Sequence, residues 1–245
     1  MSFGRGKVSS VKVIDSLAVK LDAEEFLNTK EVERLRGRLK NMEIAVLIER
    51  CSRLIEPKAV YRPVEVMSIE NDEVRLETGD RLESIVLADM LECGQTIVPG
   101  AVTIGPRLEK EASVEGRNSV LQGWILERMG DYALGKAVAH VRSLVEKSLG
   151  RDVSSFSPGS GTGRLFSIEQ QEILFKILDP QTNIGVHLTE SYLMVPRKSS
   201  SGVFAATRHQ YVACQYCPRK CEFRGRPFGS EYVSIRCEHE NQVVL

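Results

Sequence analysis

Cys214, Cys217 and Cys221 read C-x-x-C-x-x-x-C, and Cys237 follows after fifteen intervening residues. Four thiols are the number that closes a tetrahedral zinc site or holds an iron–sulfur cluster. A C-x-x-C pair presents two sulfurs from one turn to a single metal. Arg219, Lys220, Arg224 and Arg226 lie among these cysteines, and neighbouring cations offset thiolate charge and lower thiol pKa. The spacing does not separate zinc from an iron–sulfur cluster, and reduced thiols without a metal are the bland alternative. Cys51 and Cys93 sit in apolar runs and are read as core.

Two other stretches have the composition of a binding site. Phe156 to Gly163, F-S-P-G-S-G-T-G, packs three glycines and a proline into eight residues. Such a loop lets backbone approach a ligand closely, and it equally serves as a tight connection between helices. It lacks the Lys-Ser/Thr ending of a nucleotide phosphate loop. Ile184 to Gly202 sets three oxygen-bearing side chains, Thr189, Glu190 and Ser191, before the apolar trio Tyr192 to Met194. Glu190 can hold an ammonium or ribose group, cap a helix, or pair with an arginine such as Arg197. His140, His187, His209 and His239 are scattered, and no serine occupies a G-x-S-x-G elbow, so hydrolase chemistry is not expected.

The elements that must position these residues follow from periodicity. A short strand is expected at Val11–Leu17. Val32, Leu35, Leu39, Met42 and Val46 recur at helical steps across 29–55, with Gly37 as a break point and Glu56-Pro57 as the stop. Residues 59–77 alternate as a hairpin around Asn71-Asp72, with another turn at Thr78–Asp80. Ile85–Leu91 reads as a short helix. Thr96–Ile104 reads as a strand interrupted at Pro99-Gly100, and Pro106 suits the first turn of a helix. Ser119–Leu149 carries the longest helical stripe, ended by Gly150. Ile168–Asp179 is a helix with Ser167 and Gln170 as a capping box and Pro180 after its stop. Gly185–Ser191 reads as a short strand, Pro196 ends pairing, and a Ser-rich turn leads through Gly202 into V-F-A-A. Helices and strands in this order make an α+β fold.

Composition bounds the rest. The 245 residues include 42% hydrophobic and 27% charged residues, with 33 basic against 33 acidic. A chain of this size buries a core without disulfides. Neutral balance gives no argument for nucleic acid, and no apolar run reaches membrane-spanning or signal-peptide length. A cytoplasmic location is expected, where six cysteines do not form a disulfide frame.

The pattern G-x-x-L-T-E-S-x-x-M-x-P-x-x-S-x-S-G is carried by Gly185, Leu188, Thr189, Glu190, Ser191, Met194, Pro196, Ser199, Ser201 and Gly202. It resembles the signature of the reactivation domain of cobalamin-dependent methionine synthase. A second family signature, Arg-x-x-x-Gly-Tyr with Pro before the Gly, is matched by Pro158 and Gly159, while Ser155 and Ser160 stand in place of the Arg and Tyr. A-V-T-I-G-P-R-L-E at 101–109 also resembles that family. The resemblance is strongest over 55–210. It implies a reactivation-domain-like body at 1–210, a curved, mostly antiparallel sheet with packed helices, followed by the Cys-rich tail at 211–245.

The resemblance implies S-adenosylmethionine as cofactor, with Pro158, Gly159, Ser160, Thr189, Glu190 and Ser191 as cofactor-binding residues. A serine cannot replace the charge of the family Arg, and Arg151 and Arg164 are the nearby candidates to do so. Cobalamin would be carried by a separate corrinoid protein, because nothing here resembles a cobalamin-binding domain. The chain would then be an accessory in cobalamin-dependent methyl transfer, helping to reactivate that partner with the aid of an electron donor. The alternative is a zinc or iron–sulfur electron-transfer or interaction module on the same fold, its S-adenosylmethionine site lost.

Overall fold

A computed structural model describes residues 10–34, 36–39, 41–161, 165–220 and 229. Strand β1 (Lys12–Ile14) leads to α1 (Ala23–Leu27), whose first turn is capped by the Asp22 carboxylate accepting from the Glu25 N–H at 2.9 Å. The helical pattern expected at 29–55 is divided into α2 (Lys30–Glu33), a 3-10 turn at Arg36–Arg38 and α3 (Asn41–Leu54). The break falls at Gly37, where helix propensity is weakest.

Strands β2 (Lys58–Tyr61), β3 (Val64–Glu70), β4 (Glu73–Leu76) and β5 (Arg81–Glu83) follow, then α4 (Ile85–Met90) and β6 (Thr96–Thr103). Of the expected 59–77 hairpin, only β3 and β4 pair with each other, turning at Asn71 with φ of 55°. β2 pairs instead with β1 and β6.

β6 is not interrupted at Pro99-Gly100. Its first residues pair with β3 (Val64 with Ile97), and from Gly100 onward it pairs with β2 (Tyr61 with Gly100). Pro99, which has no N–H to give, sits where one partner hands over to the other, and its carbonyl accepts the Arg62 N–H at 3.0 Å.

Helices α5 (Arg107–Asn118) and α6 (Val120–Leu149) form a tight hairpin. The Ser119 hydroxyl caps α6 by accepting from the Gln122 N–H at 3.4 Å, and Gly150, at φ 67°, ends it. Then come β7 (Ser154–Phe156), α7 (Gln171–Leu178), α8 (Pro180–Ile184), β8 (His187–Leu188), β9 (Met194–Val195) and β10 (Ser199–Ala205).

Four local expectations are corrected in this half. Ser167 makes no capping bond to the 3-10 turn at Ile168–Gln170. Gln170 instead accepts the Glu83 N–H at 3.0 Å, because a neighbouring strand end offers it a donor. Pro180 does not merely follow a stop. It opens α8 after Asp179, whose carboxylate caps the Thr182 N–H at 3.3 Å. The strand expected at Gly185–Ser191 shrinks to His187–Leu188, since Gly185 is the left-handed cap of α8. Ser199–Ser201 form no turn; they pair with Thr103, Val102 and Ala101 of β6.

Among the described residues all strand pairs are antiparallel, in keeping with the mostly antiparallel sheet the resemblance implies, and β6 is central, with β10 along its other edge and β7 beyond β10. A register shift between Val66 and Ser68 bends β3. Side chains alternate across the sheet. Val98, Val102 and Phe204 join α1, α3, α5 and α6 in one core, whereas Ile97, Ala101, Val203, Ala205 and Phe156 join α4, α7 and α8 in the other. Cys51 is fully buried, but Cys93 is exposed, because it lies in the turn between α4 and β6. No helix among the described residues is long and apolar enough to cross a membrane.

Candidate functional site

The two motif segments meet at the start of α7. β7 ends at Phe156, and the chain turns with the Ser160 N–H donating to the Ser157 carbonyl at 3.2 Å. The Gly159 N–H donates to the Phe166 carbonyl at 2.8 Å, closing the glycine loop on the residues that lead into α7. Gly159 has φ of 78°, and a Cβ there would lie 2.9 Å from Ile168 Cδ1. The backbone therefore favours glycine, and Ile168 crowds the space a side chain would take. Pro158 is buried beneath the loop and Ser160 is half-buried. β10 supports the loop from below: Gly202 runs so close that a Cβ would stand 2.5 Å from the Phe156 carbonyl oxygen.

Thr189, Glu190 and Ser191 form the turn between β8 and β9. The Thr189 N–H donates to the Leu193 carbonyl at 2.9 Å, and the Tyr192 N–H to the Thr189 carbonyl at 2.9 Å. The Thr189 hydroxyl accepts the Leu193 N–H at 3.1 Å and lies 3.2 Å from the Ser191 hydroxyl. Thr189 and Ser191 thus build the turn, while Glu190 stands exposed at its tip. Glu190 is not paired with Arg197, because Arg197 faces α6 and α5: its guanidinium meets Glu127 at 2.8 Å and its N–H donates to Glu109 at 2.9 Å.

Gln171 joins these parts. It is 4% exposed. Its side-chain amide donates to the Tyr192 carbonyl at 3.1 Å, and its side-chain oxygen accepts the Ser201 hydroxyl at 3.1 Å. One buried amide therefore ties the Thr189–Ser191 turn to β10, one helical turn from the Ile168 side chain that carries the glycine loop. Sequence reasoning passed over Gln171 and took Ser201 only as a signature position. The available signal was a glutamine on the apolar stripe of α7, in phase with Leu174 and Leu178. A polar side chain on a buried stripe needs a partner.

Ser155 pairs with Phe204 of β10 and is half-buried. Arg151 lines a cleft of about 700 Å³ with Glu92, Cys93 and Arg208, at the opposite end of β7 from the glycine loop. Arg164 lies outside the described residues. Cys214 and Cys217 are half-buried at a 3-10 turn, Ala213–Tyr216, whereas Cys221 and Cys237 lie outside the described residues. Among the described residues no three metal-ligating side chains converge.

Behind the site, Lys198 is buried and donates to Asp131 at 2.6 Å, with Glu127 at 2.8 Å. Its methylenes fill the space over Gly130, where a Cβ would lie 3.0 Å from Lys198 Cε. Burial pushes the Glu127 carboxyl upward, but the hydrogen bonds and charges of Lys198 and Arg197 outweigh it and hold it below the usual 4.5. A carboxyl depressed in the folded state stabilises above its unfolded value and loses that contribution as pH falls through the folded one. Glu127→Gln is therefore expected to melt below the parent at neutral pH, with the gap closing as acidification carries the solution below the ordinary carboxylate range. Paired thermal melts across that range check it, and a gap unchanged at acid pH contradicts it.

Residues 154–220 match the family described as vitamin B12 dependent methionine synthase, activation domain. The match spans the glycine loop, the Thr189–Ser191 turn, Cys214 and Cys217. No curated protein matches the sequence. Among solved structures, one described as the MetH reactivation domain bound to AdoHcy superposes with a TM-score of 0.61 at 13% identity, covering 86% of each chain. The curved antiparallel sheet flanked by helices is the fold they share. Over residues 154–220 the sequence is similar to the activation domain of vitamin B12 dependent methionine synthase, and over most of its length the chain has the fold of the solved reactivation domain.

Proposed function

We propose that this chain binds S-adenosylmethionine, or its demethylated product S-adenosylhomocysteine, where the glycine loop, the start of α7 and the Thr189–Ser191 turn adjoin. In this reading it serves a separate cytoplasmic corrinoid protein as an accessory in methyl transfer. The observation that carries it is the meeting of both signature segments on one helical turn, through Ile168 and Gln171. The solved relative was captured with AdoHcy, which supports a ligand of that class. The methyl donor and the partner's cobalamin supply the chemistry, together with an electron donor; this chain binds and orients. Pro158, Gly159 and Ser160 would offer close backbone and a hydroxyl, and exposed Glu190 would be the acidic group for an ammonium or ribose. Ser155 and Ser160 give no cation for the methionine carboxylate, so binding weaker than a bidentate arginine contact provides is expected.

Calorimetric titration with both ligands tests the reading. Saturable binding that weakens in Glu190→Gln, with the melting temperature retained, supports it. No heat at millimolar ligand removes the cofactor and leaves only the fold.

A second reading concerns the cysteines. Cys214 and Cys217 open the four-thiol set from one half-buried 3-10 turn, which favours a zinc or iron–sulfur centre completed by Cys221 and Cys237. Metal and sulfide analysis after anaerobic purification separates the two. Iron with sulfide indicates a cluster, zinc alone a structural site, and neither metal ends the reading.

A further inference from the structure

The 3-10 turn that carries the first two thiols abuts the glycine loop. A Cβ on Gly161, whose φ is 70°, would lie 3.5 Å from the Ala213 carbonyl oxygen and 3.9 Å from Cys217 Cβ. The loop backbone and the thiol-bearing turn are therefore neighbours, with room for about a methyl group between them. On its other side the turn is fixed to the sheet. Tyr216 packs on Tyr211 with ring centroids 5.4 Å apart, and Tyr211 stacks on Phe156 of β7 at 4.6 Å. The Tyr211 N–H donates to the Ser154 hydroxyl at 2.9 Å. Phe156 is also the last strand residue before the glycine loop. The turn and the loop therefore share one foundation and lie side by side at Gly161.

We propose that Cys214 and Cys217 bind a soft divalent cation as a pair, and that occupancy braces the glycine loop at Ser157–Gly161. The Cys217 N–H reaches the Cys214 carbonyl at 3.4 Å, the long end of a hydrogen bond. That i to i+3 contact brings the two Cα atoms within about 7 Å, close enough for both sulfurs to converge on one metal. Each thiol releases its proton on binding, and the metal takes both sulfurs as thiolates. Convergence tightens the turn and fixes the Cys217 side chain. The surface against Gly161 then loses its freedom, and the loop amides, including those of Gly159 and Ser160, open less often. For its occupant the inference rests on the metal reading of the cysteines; for its effect it needs no ligand at the loop.

The test uses the full chain, with cadmium as the soft-metal probe and Cys214→Ser/Cys217→Ser as the comparison. Thiolate-to-metal absorption in the ultraviolet reports loading, and hydrogen exchange by mass spectrometry reports the peptide spanning the loop. Cadmium is expected to slow exchange of the loop amides by about tenfold in the parent, with reversal by chelator and no effect in the double variant. Chelator reversal in the parent keeps the test decisive if the variant folds poorly. Loading without any change in loop exchange overturns the coupling, and undiminished loading in a folded double variant overturns the site. Failure to bind S-adenosylhomocysteine would leave both readouts intact, so the two proposals fail separately.

Discussion

Gly123→Ala is expected to lower the melting temperature by about 6–12 °C, the consequence of roughly 3 kcal/mol of overpacking in a domain of this size. A Cβ at Gly123 would stand 2.5 Å from Gly116 Cα, 2.8 Å from the Gly116 nitrogen and 3.0 Å from the Ala112 carbonyl oxygen. All three are backbone atoms of α5, so no side chain can swing aside, and the helices must separate. Separation reaches the core, because Ala112 and Leu108 of α5 pack with Ile125, Leu126 and Met129 of α6. Gly135→Ala on the same helix supplies the control. Nothing lies within 4 Å of its Cβ position, so alanine there is expected to stabilise by about 0.5–1 kcal/mol through reduced backbone entropy. Thermal melts of the two variants should move in opposite directions. A Gly123→Ala protein melting with the parent would show that the α5–α6 crossing is wider than described.

Gly202→Ala is the second large effect, and it falls on the site. Its Cβ would stand 2.5 Å from the Phe156 carbonyl oxygen and 3.0 Å from the Ser157 hydroxyl. β7 has only three residues paired to β10, so it is the weaker partner and would move. A cost of about 2–3 kcal/mol follows, with a fall of roughly 4–12 °C in melting temperature. Displacing Phe156 also displaces the loop that begins at Ser157. Hydrogen exchange across the loop should rise, and any S-adenosylhomocysteine affinity should fall more than in Glu190→Gln. A variant that melts low but keeps its loop exchange unchanged would break the link between β10 and the loop.

Legibility in the sequence followed the range of the interaction. The long stripe of α6 and its Gly150 end were readable because each depends on neighbours within a turn. The break at Gly37 and the turn at Asn71-Asp72 were readable for the same reason. The two motif segments were recognisable because their residue types and spacing survive without knowledge of the fold.

Partners distant in sequence decided the rest. Ser199–Ser201 look like turn residues, but β6 offers them a complete edge of backbone groups, and pairing overrides side-chain preference. Pro99 is tolerated in a central strand only because β2 and β3 exchange places beside it. Gln170 leaves its expected cap for the Glu83 N–H, and Lys198 is buried only because Glu127 and Asp131 face it from α6. Cys93 stands exposed because it lies in the turn between α4 and β6. By itself the sequence determined the longer helices and which segments carry the signature, but not the short α1 and α8. The tertiary structure alone decided that Gln171 joins one segment to β10 while Ile168 carries the other. Those contacts link residues brought together by the packing of α7 against the sheet, and no local pattern encodes that packing.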